Sequence, residues 1–185
     1  MLEYSKFIGE IIVKYILSFA ILILIYILIY YKSLKSKSRE YKIKFSLFYC
    51  YITIVLFATI MPFRIIQPGK NELFYRRLNL VPFRDIYNSY RGAIKDMILN
   101  VLMFIPFGFL ISLLKEKTLL KTIVLSFLFS LFIETTQLLY AWTSITSIRT
   151  CDITDVITNT TGGIIGFLLY KLFSILIKKV KVIIF

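Results

Sequence analysis

Arg149-Thr-Cys151-Asp152-Ile-Thr-Asp155-Val-Ile-Thr-Asn159-Thr-Thr-Gly162-Gly163-Ile-Ile-Gly166 decides how the rest of this 185-residue chain is read. At about 100° per residue, a helix here sets Asp152, Asp155, Asn159, Gly162, Gly163, Gly166 and Tyr170 on one face. Ile153, Ile157, Ile164, Phe167 and Leu168 cover most of the remainder. A helix surrounded by lipid has no use for a line of carboxylates, whereas one packed with other helices around a polar cavity does. The three glycines on that line allow neighbouring backbones to come close.

Working outward, the composition explains why such a helix is membrane-embedded. Hydrophobic residues make up 58% of the chain and the mean hydropathy is +0.80, above the roughly 45–50% apolar usage of soluble domains. The expected fold is all-α: one membrane domain over 1–185, a polytopic bundle of about five transmembrane helices. The spans are expected near 11–31, 45–63, 96–114, 119–140 and 153–177. The first is not expected to be a cleaved signal, since its basic residues follow the apolar run. Formal net charge is +13, but the basic residues lie between apolar runs and no nucleic-acid recognition motif accompanies them. They fit topology signals and anionic lipid, so membrane lipids are expected partners and nucleic acid is not.

Lys32, Lys35, Lys37, Arg39, Lys42 and Lys44 face only Glu40 between the first two spans, which places that loop in the cytoplasm. Lys115 and Lys117, and later Lys178, Lys179 and Lys181, agree with it. The N-terminus is then outside and the C-terminus inside a bacterial cell membrane. Between spans two and three, the segment around 79–86 is too short and polar to cross and too apolar to float free. An interfacial or re-entrant piece is expected, folded against the bundle. Pro106 removes one amide bond from the third span and should kink it.

This topology brings Asn79, Arg84, Asp96, Asn100, Glu134, Gln137, Arg149, Asp152, Asp155 and Asn159 to the outer half of the membrane from four separate segments. Ser126, Ser130, Glu134 and Gln137 form a stripe on the fourth span at helical spacing. A polar pocket open to the outside is expected, with arginines balancing its acids. Histidine is absent, which removes the usual neutral-pH base and the commonest zinc ligand. No metal or other cofactor is expected. Cys50 and Cys151 fall at different depths and are expected to be free thiols.

Asn79-Leu-Val-Pro82-Phe83, Asn100-Val-Leu-Met-Phe104-Ile-Pro106-Phe-Gly108, Glu134-Thr-Thr-Gln137 and the Arg149–Gly162 stretch together resemble, in order, the signatures of VanZ-like membrane proteins. The resemblance covers about 79–170. It implies an integral membrane protein of the kind named for an accessory role in teicoplanin resistance. The candidate ligand-binding residues are Asn79, Arg84, Asn100, Glu134, Gln137, Arg149, Asp152, Asp155 and Asn159. The leading reading is binding or remodelling of an amphipathic ligand at the outer face, either teicoplanin or a lipid-linked cell-wall precursor. Arg84 and Arg149 would meet its phosphate or carboxylate groups, or else pair with Asp85, Asp152 or Asp155. The alternative is an outer-leaflet enzyme acting on a lipid-linked or peptidoglycan substrate, with Glu134, Asp152 and Asp155 as catalytic candidates. No nucleophile motif accompanies those acids, so binding is preferred to catalysis. A scaffold for cell-wall enzymes is the third reading.

Overall fold

A computed structural model describes the backbone of residues 2–63, 74–115, 118–143 and 150–184, and the side chains of 8–63, 74–115, 118–143 and 150–179. The chain divides into two compact units, Met1–Gln67 and Pro68–Phe185. Among the described residues, five helices are long and apolar enough to cross a membrane: Ile8–Leu34, Arg39–Thr59, Ala93–Leu114, Leu119–Thr143 and Ile153–Lys179. Large apolar side chains remain exposed along all five, such as Ile16, Ile54, Leu102, Leu120 and Leu172. In water such a surface would aggregate; in lipid it is the solvated face.

The first unit is a helical hairpin. Helix α1 (Leu2–Ile29) ends in a π turn at Tyr30–Leu34, and α2 runs Arg39–Thr59. Ser38 starts α2 as its N-cap, its hydroxyl accepting the Tyr41 N–H at 3.2 Å. Tyrosine hydroxyls staple the two helices: Tyr26 to Ser46 at 2.7 Å and Tyr49 to the Leu22 carbonyl at 2.6 Å. Helix α2 stops at Thr59 instead of continuing to Phe63. Pro62 disfavours helical geometry in the residue before it, and the Phe63 N–H turns to the Ser18 hydroxyl at 3.0 Å.

The second unit is built on α4 (Ala93–Leu114), α5 (Leu119–Thr143) and α6 (Ile153–Ile184). Helices α4 and α6 meet along a glycine seam. A Cβ on Gly162 would strike the Val101 carbonyl, one on Gly166 the Ile105 carbonyl, and one on Gly108 the Gly163 carbonyl. Only hydrogen at those positions permits this approach. Helix α5 turns a small polar face inward, with Thr122, Ser126, Ser130, Glu134 and Gln137 all buried. Phe104, Phe107 and Phe129 pack ring against ring, with centroids 5.1–5.6 Å apart. Pro106 sits inside α4, which is continuous from Ala93 to Leu114.

The piece expected to fold against the bundle does so through a feature absent from the reading of the sequence. A 3-10 turn (Phe74–Arg77) leads into strand β1 (Leu78–Asn79), which pairs in parallel with β2 (Cys151–Asp152). A short helix, α3 (Arg84–Tyr87), follows and precedes α4. This two-residue ladder joins the segment before α4 to the start of α6.

Candidate functional site

The β1–β2 ladder fixes the site because its register sets Asn79 opposite Asp152. The Asn79 amide donates to Asp152 Oδ2 at 2.7 Å, and its own oxygen accepts the Val81 N–H at 3.2 Å. The other Asp152 oxygen accepts the Thr154 N–H at 2.7 Å, which makes Asp152 the N-cap of α6. The backbone N–H of Asp152 donates to Glu134 Oε2 of α5 at 2.9 Å. Glu134 is only 2% exposed, so its carboxylate reaches between the helices to a backbone donor that would otherwise be left bare. Thr154 extends the network sideways: its hydroxyl accepts the Phe83 N–H at 2.9 Å. Phe83 itself occupies the left-handed region at φ 60°.

One turn into α6, Asp155 accepts the Asn100 amide of α4 at 2.7 Å. Acidic residues in the first turn of α6 also face the positive end of its dipole. Another turn deeper, the Asn159 amide donates to Ser130 of α5 at 2.9 Å. Among the described residues, Asn159 Oδ1 and Ser126 Oγ are buried without a hydrogen-bond partner. Ser126 lies against the Gly163 backbone. At the opposite end of the same helices, Ser112 and Thr122 share a 3.4 Å contact. The charged part of the polar file therefore gathers at one end, where α4 and α6 begin and α5 finishes.

A small cleft of about 30 Å³ opens at that end, lined by Phe83, Asp85, Ile86, Ala93, Asp96, Met97, Asp152, Thr154 and Asp155. It has room for about two water-sized groups, and four of its lining residues are acidic. Among the described residues no group of three or more histidine, cysteine or acidic side chains is arranged to hold a metal ion. Cys151 is buried beside the same acids. Burial pushes its thiol up to about 11, and the negative charges of Glu134, Asp152 and Asp155 add to the effect. At neutral pH it stays protonated and is a poor nucleophile. Ser126 and Ser130, fully buried between the helices, do not line the cleft.

The structure thus joins Asn79, Asn100, Glu134, Asp152, Asp155 and Asn159 in one stack of contacts, with Gln137 buried on the same face of α5. Arg84 is exposed on α3 and is not among the residues lining the cleft. No ion pair of Arg84 is found among the described residues, so its alternative pairing with Asp85, Asp152 or Asp155 is not seen there. Arg149 lies outside the described residues. Three residues missing from the candidate set belong to the site. Asp85 and Asp96 line the cleft, and Thr154 links Phe83 to α6. Asp85 adjoins Arg84 in the quoted signature region, but no periodic signal on a four-residue helix marks where it faces.

The chain aligns with Protein VanZ of Enterococcus faecium at 42% identity over 98 residues, which is 52% of this chain and 54% of that protein. The alignment spans about half the length of that curated relative. No solved structure matches at a significant level. The VanZ/LLP1 family model matches residues 18–174. With most of its length inside that match and five membrane-length helices, this multi-pass membrane protein belongs to the VanZ/LLP1 family.

Proposed function

We propose that the polar end of the second unit binds the polar part of an amphipathic cell-envelope ligand at the outer face of a bacterial membrane, and so contributes to teicoplanin-type glycopeptide resistance or to envelope maintenance. Support comes first from the linkage of Asn79, Asp152 and Glu134, three residues from three segments of chain tied at 2.7 and 2.9 Å beside an open cleft. Buried carboxylates are costly unless paired or functional. Here they are hydrogen-bonded and remain next to an acidic opening. The cleft admits one small group at a time, so the ligand's apolar part lies along the lipid-facing helices outside it. Its four carboxylates suit a cationic or hydrogen-bond-donating group. Arg84, exposed on α3, suits an anionic group nearby.

The orientation belongs to the same proposal: N-terminus outside, C-terminus inside, with the basic 32–44 segment cytoplasmic. Binding is favoured over turnover because the one thiol at the site is held protonated and the two serines are buried away from the cleft. The test is teicoplanin susceptibility of cells expressing the parent, Glu134→Gln or Asp155→Asn at matched membrane levels. Protection by the parent that both variants lose is the expected outcome. Equal susceptibility of all three would remove the assignment.

A further inference from the structure

A groove of about 510 Å³ runs between α1 and α2, wholly within the first unit, walled mainly by Phe19, Leu22, Ile23, Cys50 and Ile54. That volume lies inside the range of roughly 300–1,000 Å³ typical of small-molecule sites. Its hydroxyls are already engaged. Tyr26 bonds Ser46, Ser46 donates to the Lys42 carbonyl at 2.8 Å, Tyr49 to that of Leu22, and Thr53 to that of Tyr49 at 3.0 Å. The walls therefore present carbon to an occupant and reject one with unmet polar groups. From Ser46 to Ile54 the groove follows eight residues of helix, about 12 Å. Half the hydrocarbon thickness of a bilayer is about 15 Å, so the groove has the depth of one leaflet.

One mouth of the groove is charged. Lys42 lies one turn beyond Ser46, its Nζ 5.8 Å from the centroid of the Tyr30 ring. Around it, six basic residues between Lys32 and Lys44 stand against the single acid Glu40, which pairs with Lys44. An apolar slot one leaflet deep, capped at one end by cations, is complementary to a phospholipid with net negative charge. We propose that the α1–α2 groove is a site for one anionic phospholipid, with an acyl chain along Leu22 and Cys50 and the phosphate at Lys42. A zwitterionic lipid fills the same slot but carries its own compensating cation, so the charged mouth discriminates against it.

The test uses the purified full chain in detergent, stripped of lipid and titrated with dipalmitoyl phosphatidylglycerol or dipalmitoyl phosphatidylcholine, with bound lipid counted by native mass spectrometry. One phosphatidylglycerol per chain is expected, preferred at least about fivefold, the effect of one basic side chain near a lipid phosphate. Lys42→Gln should bring the preference within about twofold while leaving phosphatidylcholine binding unchanged. Cys50→Trp and Ile54→Trp, which fill the slot from different positions, should each lower both adducts about tenfold; either folded variant suffices. Equal binding of the two lipids by the parent, no adduct at all, or adducts that persist in the tryptophan variants would overturn the proposal. A dimer lost in those variants, in place of a lipid adduct, would instead give the groove to a second copy of the chain.

Discussion

Gly163 and Gly166 sit three residues apart on α6, yet replacing each by alanine should have different consequences. A Cβ at Gly166 would stand 2.8 Å from the Phe109 nitrogen and 3.0 Å from the Ile105 carbonyl carbon, besides striking the Ile105 oxygen. Carbon contacts settle at about 3.5–4.0 Å and the Ile105 oxygen is the nearest obstacle, so α4 and α6 would have to part by more than about 1 Å, and no side-chain rotation relieves it. Overpacking costs about 1–3 kcal/mol, here at the upper end, offset by about 1 kcal/mol of helix propensity gained from glycine to alanine. The net loss for Gly166→Ala is about 2 kcal/mol. At Gly163 the obstacle is the side chain of Ser126 alone, its Cβ at 2.6 Å. Ser126→Gly should therefore rescue Gly163→Ala and cannot rescue Gly166→Ala. Reversible unfolding in mixed micelles would read these differences in a double-mutant cycle, with a coupling energy of about 1–3 kcal/mol expected between positions 126 and 163. Coupling below about 0.5 kcal/mol, or a Gly166→Ala variant as stable as the parent, would refute the packing described.

Asp152→Ala removes an N-cap and leaves the Asn79 amide without its acceptor, so a loss of about 1–3 kcal/mol is expected in the same assay; a loss under 0.5 kcal/mol would show that the ladder closes without it. The Cys151 thiol, pushed up to about 11 from an ordinary 9.0, should be labelled by maleimide at pH 8 about a hundredfold more slowly than in the unfolded chain. The rate should rise about tenfold per pH unit as thiolate forms. In Glu134→Gln the lost negative charge should speed labelling at fixed pH, and an unchanged or slower rate would count against that carboxylate's influence. For orientation, a cysteine at Ser36 in a Cys50→Ser, Cys151→Ser background should resist a membrane-impermeant maleimide in intact cells and react after permeabilisation. Labelling in intact cells would invert the topology.

The membrane helices were legible in the sequence because each is a long apolar run bounded by charge or proline, and α5 because Ser126, Ser130, Glu134 and Gln137 recur at helical spacing. Their common burial follows from that spacing. The close α4–α6 contact was legible in Gly108, Gly162, Gly163 and Gly166. The ladder between Leu78–Asn79 and Cys151–Asp152 was not, because a two-residue strand has no alternation to detect and its partner lies 73 residues away. That ladder, not helix periodicity, sets Asn79 against Asp152, while Asn100 meets Asp155 through the packing of α4 on α6. Charge balance was not legible for a related reason. Arginines were expected beside the acids; Arg149 lies outside the described residues and Arg84 stands exposed, while Asp152, Asp155 and Glu134 accept from the Asn79 and Asn100 amides and from backbone N–H groups. Neutral donors such as these carry no signal in composition or net charge.

The most direct test of the proposed binding site is equilibrium binding of teicoplanin to the purified full chain in lipid nanodiscs, compared between the parent and Glu134→Gln at equal melting temperature. Saturable binding to the parent and at least about tenfold weaker binding to the variant are expected: Glu134 acts through its bond to the Asp152 N–H, which holds a residue of the cleft in place, and a hydrogen bond to a charged group, worth about 1.5–3 kcal/mol, weakens when its acceptor becomes neutral. Saturable binding of equal strength in both proteins would contradict a site built on Glu134, Asp152 and Asn79.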